Sequence, residues 1–470
     1  MGGFFWHGYC CMMLNRILTG FVLDLPILNS HFRSVIMRIA TLIISLLLFC
    51  GNSAHSQVIG QYFPPMNPQS QWDTLSAEKL SWCTENLPAL YEQLERSNTK
   101  GYILLYKGRI VLEKYFGDFA KDSVWYWASA GKTLTSFLIG KAQEDKKLSI
   151  EDPTSKYLGN GWTAIPKEQE DNIKIKHQLT MTTGISDDVS DLDCTNDTCL
   201  QYKTDPGLRW AYHNAPYTLL EEVITKATGQ TLNAYTQSTI KNRIGMTGIW
   251  VKLGPNNVYL STPRAMARFG HLMLNDGIWN GDTVMKDPEY FRAMITRSQV
   301  LNPSYGYLWW LNGQSGYMLP GFQFFFNGNL AKEAPEDVIS GMGKNGQIVS
   351  FSKQHELVMV RMGQAPDSLG FVPNFFMNDI WKLTMDVACR ATSVEDQGEM
   401  SSSIAVHDNV VRFTNPEPGE RIMVFDMTGK KVHEQIDHAP IDISHYSTGI
   451  YAVVISSQKG SITEQIIKRQ

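Results

Sequence analysis

The chain has 470 residues, 43% of them hydrophobic and 19% charged, with a formal net charge of −4. It is too long for one ordinary domain and too apolar for a disordered chain, and its charge gives no reason to expect a nucleic-acid partner. No glycine-rich nucleotide fingerprint, zinc-ligand pair or calcium loop occurs in it, so neither a cofactor nor a metal is expected.

In chain order, residues 1–56 read as a leader, with the secretory signal proper over about 37–56. Arg38 precedes a short apolar run from Ile39 to Cys50, and Ala54-His55-Ser56 suits cleavage. The run is too short to span a membrane comfortably, so no transmembrane span is expected in the mature chain. The 36 residues ahead of Met37 sit awkwardly before a signal, which points to Met37 as the true translation start. Export makes the cysteines informative. Cys194 and Cys199, with four residues between them in a polar loop, are expected to form a local disulfide. For Cys83 and Cys389, pairing and two buried thiols both stay open.

The main domain is expected over 57–390. Residues 70–96 read as a helix on Leu75, Leu80, Leu87, Leu90 and Leu94. Tyr102–Tyr106 and Ile110–Tyr115 read as a hairpin turning at Lys107-Gly108. Ser129-Ala130-Gly131-Lys132 follows, with an apolar helical face on Ala130, Leu134, Phe137, Leu138 and Ala142. A lysine one turn from a serine can take its proton if burial depresses the lysine pKa. Other Ser-x-x-Lys matches, among them those at Ser76, Ser97, Ser350 and Ser456, lack that context. Further on, Pro216 opens a helix with Asn214 near its cap and Gly229 at its end. Gln347–Phe351 and Leu357–Met362 form a second hairpin, and Asn374–Ala388 close the domain as a helix. Strands at both ends with helices between predict an antiparallel sheet carrying a helical insertion, an α/β fold of the α+β kind.

Three ordered motifs carry a resemblance. Ser129–Lys132, Tyr212-His213-Asn214 and Lys344-Asn345-Gly346 resemble the motifs of class C β-lactamases and their penicillin-binding and esterase relatives. Thr182-Thr183-Gly184, the stretch from Ser261 to Phe269 and Tyr305-Gly306-Tyr307-Leu308-Trp309-Trp310 fall in the expected order, and the likeness spans about 75–390. It implies a β-lactamase/transpeptidase-like fold and a serine hydrolase acting on a small-molecule or peptide ester or amide. Ser129 would be acylated, and Lys132 and Tyr212 would share the proton transfers. Asn214 and Lys344 would position substrate, with Gly346 in the third motif, and the N–H groups of Ser129 and Gln347 would hold the oxyanion. A D-alanyl peptidase, a true β-lactamase and a penicillin sensor without turnover are the alternatives. Asn345 replaces the usual threonine, which puts recognition of a β-lactam carboxylate in doubt. Trp309 and Trp310 read as sheet packing, and residues 313–339 as a cover over one edge of the site.

Residues 391–403 read as a linker, and 404–470 as a small β-sandwich of short strands and turns. Asp426-Met427-Thr428-Gly429-Lys430, Thr448-Gly449-Ile450-Tyr451 and the basic end Lys468-Arg469 resemble the C-terminal sorting domain of type IX secretion cargo. That resemblance implies the type IX machinery as a partner, and a secreted or outer-surface protein. A generic spacing or sugar-binding module is the alternative.

Overall fold

Seven residues of alternating burial at Arg109–Tyr115, beside the almost continuously buried Thr99–Tyr106, mark an edge strand next to an interior one. In the computed structural model, which describes residues 59–366, 374–389, 403–414, 419–427, 429–457 and 460–468, they open a six-stranded sheet. The expected leader lies outside the described residues, as do Thr428, Arg469 and all of the expected linker except Ser403.

Helix α1 (Leu87–Arg96) precedes strands β1 (Thr99–Tyr106) and β2 (Arg109–Tyr115). Four more strands complete the sheet much later in the chain: β3 (Trp310–Leu311), β4 (Ile339–Gly343), β5 (Gln347–Ser352) and β6 (Leu357–Gly363). The order is β2-β1-β6-β5-β4-β3, antiparallel throughout. β5 and β6 are buried on both faces because each face carries a helical layer. On one, Thr384 and Trp381 of the closing helix Asn374–Ala388 meet Tyr102 and Ser350, with Tyr102 Oη 2.8 Å from Thr384 Oγ1. On the other, helix Pro263–Leu274 lies against Val349 and Val358.

The single helix expected over 70–96 is broken into 3₁₀ turns at Glu78–Leu80 and Thr84–Asn86 followed by α1. Ser81 takes a left-handed conformation, φ 56°, and Pro88 stands in the first turn of α1, the one place in a helix that tolerates it. Leu75 instead donates its N–H to Ile110 at the sheet edge. Cys83 and Cys389, left open by the sequence, form a disulfide with Cα atoms 5.4 Å apart, and Cys83 N–H donates to Val387. The expected Cys194–Cys199 bridge is present, with Cα atoms 6.0 Å apart.

The tail folds as two sheets, one of three strands beginning at Ser403–His407 and one of four ending at Gly460–Lys468. They enclose Val411, Ile422, Val424, Ile441, Ile443, Val453 and Ile455. The tail is also docked on the main body. Phe425 meets Phe324 at 4.8 Å, Asn374 Nδ2 donates to Gln465 Oε1 at 3.4 Å, and Ile450 and Ala452 join the main core. No helix among the described residues is long and apolar enough to cross a membrane.

Candidate active site

Trp127 anchors the approach to Ser129. Its ring is fully buried, its N–H donates to Tyr259 O at 2.8 Å, and its Nε1–H donates to Ser261 Oγ at 2.7 Å. Ala128 then takes φ 46°, a left-handed conformation costly for a residue with a Cβ, and the strain falls immediately before Ser129. Ser129 lies in a 3₁₀ turn, Ala128–Gly131, and helix α2 (Lys132–Glu144) begins at Lys132 rather than at Ser129. The pairing survives, with Lys132 Nζ 3.3 Å from Ser129 Oγ. The helix is buried almost all round from Lys132 to Ala142, so its hydroxyl-bearing face is inside as well as its apolar one.

Lys132 is 5% exposed, and burial pulls its pKa down from the usual lysine value to about 7. Its ammonium group donates to Asn214 Oδ1 at 2.9 Å and lies 3.9 Å from the centre of the Tyr217 ring. Asp193 and Glu221 pull its pKa the other way, though less strongly than burial. Glu221 is itself buried, and its pKa rises to about 8 as a result. Its carboxyl accepts a hydrogen bond from Asn257.

The Tyr212 ring lies with its centre 5.3 Å from Lys132 Nζ, its hydroxyl is within hydrogen-bonding reach of Ser129, and burial holds that hydroxyl above the ordinary phenol range. Trp310 stacks on its ring at 6.0 Å and 19°, and Tyr305 meets it edge-on at 6.3 Å. Trp309 and Trp310 are both buried, and Trp310 is a support for Tyr212. Asn214 begins the short helix Asn214–Thr218, held through Gln178, which donates to Pro216 O at 2.6 Å. Thr182 and Met181 accept the N–H groups of Gly207 and Ala211, so the expected Thr182–Gly184 turn and the residue before it hold the irregular segment that presents Tyr212.

The third motif lies at the end of β4. A Cβ on Gly343 would stand 2.5 Å from Trp127 O and 3.0 Å from Ser129 N, so only glycine lets this strand approach the serine. Lys344 is exposed, and its side chain makes no hydrogen bond or ion pair among the described residues. Asn345, at φ 65°, spends its amide on Tyr126 Oη at 2.7 Å. Gly346 takes φ 75°. Gln347 faces Gly343 across the hairpin and turns its side chain into the sheet, where Nε2 donates to Gly363 O at 2.6 Å. Arg361 is fully buried beneath the turn and donates to the carbonyls of Asn345, Gly346, Ser97 and Gln364. Gln323, in the segment expected to cover the site's edge, donates to Trp210 O at 3.3 Å.

The structure thus gathers Ser129, Lys132, Tyr212 and Asn214, with the Lys344–Gln347 turn beside them. Glu221, Tyr217 and Arg361 were not anticipated as parts of the site. One signal for Glu221 was present, a charged residue among the buried Leu220, Val223 and Ile224 of helix Leu220–Thr228. Of the other Ser-x-x-Lys matches, Ser350 instead accepts from Trp381, while Lys353 pairs with Asp276. A cavity of about 940 Å³ lined by Phe291, Leu311 and Asp337 shares none of the gathered residues.

Both parts of the chain are similar to known proteins. Residues 101–373 match the Beta-lactamase family, and residues 404–469 match the Secretion system C-terminal sorting domain. An uncharacterised protein of Alkalihalophilus pseudofirmus is 24% identical over 55% of this chain and 81% of its own length. The "Putative penicillin-binding protein PbpX" of Bacillus subtilis is 29% identical over 31% of this chain and 39% of its own. Among solved structures, the "Putative 6-aminohexanoate-dimer hydrolase from Bacillus anthracis" has a TM-score of 0.52 at 16% identity, covering 70% of this chain and 89% of that one. The "putative beta-lactamase from Bacteroides dorei" has a TM-score of 0.51 at 18% identity, covering 66% and 100%. Both share the fold. The tail marks the chain for export by type IX secretion and for attachment at the outer surface. With the match spanning more than half of its length, the chain belongs to the Beta-lactamase family of serine hydrolase-type proteins.

Proposed function

We propose that the protein hydrolyses an ester or amide through an acyl-enzyme on Ser129. The observation that carries this reading is the 3.3 Å contact between Ser129 Oγ and a buried Lys132 whose pKa lies near neutrality. At neutral pH a large share of Lys132 is unprotonated, whereas Tyr212 keeps its proton. Lys132 therefore takes the serine proton as Oγ attacks the carbonyl carbon. Tyr212 protonates the leaving oxygen or nitrogen and is reprotonated from the Lys132 ammonium group. Water then adds to the acyl ester, passes a proton back through the same pair, and the acid leaves with Ser129 restored. Asn214 fixes the amine, and the backbone N–H groups of Ser129 and Gln347 receive the oxyanion.

Lys344, which is exposed, would meet a substrate carboxylate or polarise Tyr212. Asn345 argues against β-lactam turnover, because its amide is committed to Tyr126. The test is a panel of short-chain esters, a chromogenic cephalosporin and D-Ala-D-Ala peptides, with fluorophosphonate labelling of the native protein. Ser129→Ala should abolish both turnover and labelling. Tyr212→Phe should lower kcat by a factor on the order of 10² to 10⁴ without unfolding the chain. A folded Ser129→Ala protein that still hydrolyses the preferred substrate refutes the reading, and acylation without steady-state release would make the protein a sensor.

A further inference from the structure

A lysine ammonium group has three N–H bonds, and three acceptors surround that of Lys132. Ser129 Oγ lies 3.3 Å from Nζ, Asn214 Oδ1 lies 2.9 Å from it, and the centre of the Tyr217 ring lies 3.9 Å from it. The Tyr212 ring is farther, at 5.3 Å. Tyr217 is held where it stands. It is 5% exposed, its backbone belongs to the helix Asn214–Thr218, and its Oη lies 3.3 Å from Thr135 Oγ1, one turn beyond Lys132 on α2. Burial raises its pKa well above the ordinary phenol value, so the ring is neutral and takes no proton.

A neutral amine keeps two N–H bonds and one lone pair. An amide oxygen and an aromatic face both accept and neither donates, so each takes one N–H of the neutral lysine. The lone pair then falls to the neighbour with a proton to give, the hydroxyl of Ser129. We propose that Tyr217 is a positioning residue, whose ring face and Asn214 Oδ1 together aim the Lys132 lone pair at Ser129 Oγ. The same face holds the ammonium ion formed once the serine proton is taken. This rests on the acyl-enzyme reading and adds the device that orients its base. The titratable and charged groups that also face Lys132 are Tyr212, Asp193 of the disulfide loop and Glu221 of helix Leu220–Thr228, and the variants below leave all three in the chain.

Tyr217→Phe keeps the face and loses the link to Thr135, whereas Tyr217→Leu keeps an apolar side chain and loses the face. The experiment follows kcat/KM for p-nitrophenyl acetate and the rate of fluorophosphonate labelling against pH, beside thermal melts. In the native protein both should fall below about pH 7. Tyr217→Phe should leave that limb in place. Tyr217→Leu should move it down by about one pH unit, because the ammonium ion loses a buried cation–π partner. It should also lower the rate above the limb by roughly ten- to a hundredfold, because the lone pair is no longer aimed. Pentafluorophenylalanine at position 217 keeps the ring's shape and reverses the charge of its face, so it should act as leucine does, and it replaces Tyr217→Leu if that variant fails to fold. A folded leucine or fluorinated variant with the native limb and rate overturns the assignment. So does an equal loss in Tyr217→Phe and Tyr217→Leu with the limb unmoved, since that is a packing role. A native protein that neither labels nor hydrolyses esters overturns the acyl-enzyme reading and this proposal with it.

Discussion

Gly343→Ala adds one methyl group beside the Ser129 turn and removes no functional atom. The backbone there, φ −132° and ψ 159°, suits alanine, so the whole effect comes from space. The new Cβ would lie 2.5 Å from Trp127 O, 2.9 Å from Ala130 N and 3.0 Å from Ser129 N. Ordinary contact begins near 3.4 Å, so the turn and the strand must part by about 0.9 Å. Trp127 is buried and pinned at both its N–H and its indole, which leaves the Ser129 turn or the end of β4 to move. Either movement separates the Ser129 and Gln347 N–H groups proposed to hold the oxyanion. A misplacement near 1 Å costs roughly 10²-fold in rate, and overpacking costs about 1–3 kcal/mol in stability. Gly131→Ala is the control. It lies in the same turn at φ −64°, and its nearest obstacle is the Trp250 ring at 3.7 Å. It should be active and up to about 1 kcal/mol more stable. Ester kinetics and fluorophosphonate labelling rates, read beside thermal melts, separate the two variants. A folded Gly343→Ala protein within a fewfold of native kcat/KM would refute the close-approach argument.

The pH profile should show kcat/KM falling as pH drops through about 7, because protonating Lys132 removes the proposed base. The raised Tyr212 adds no limb near neutrality, so a flat profile across that region would place the base elsewhere. The same lysine should make the fold more stable as pH rises from about 7 toward the ordinary lysine range. Across that window the unfolded chain holds the proton and the folded one does not. Removing the Cys83–Cys389 bridge, whose cysteines are 306 residues apart, should cost on the order of 5 kcal/mol, against about 2 for the five-residue Cys194–Cys199 separation. Thermal melts of single Cys→Ser variants check that order, and its reversal would count against it. Deleting 404–470 should leave the enzyme inside its own host, and normal appearance at the surface or in the medium would contradict the sorting role.

Much of the site was legible in the sequence because its chemistry is written locally. Ser129 and Lys132 are one helical turn apart, and Tyr212 and Asn214 are two residues apart, so each pair is close whatever surrounds it. Strand alternation, the Lys107-Gly108 turn and the closing helix Asn374–Ala388 were equally local and fell where the pattern put them. The leucine spacing over 70–96 misled, because Pro88 and a left-handed Ser81 outweigh it. What spans the chain was decided only by tertiary contact. The Cys83–Cys389 pairing needed the first and last helices to be neighbours, which no spacing reveals. The pKa of Lys132 depends on how deeply α2 is buried, and on Asp193 and Glu221 brought in from a disulfide loop and another helix. Arg361 reaches the third-motif turn because β6 pairs with β5 in that register. Sequence supplies the reacting groups, while their charge states are set by desolvation and neighbouring charge, properties of the packed whole.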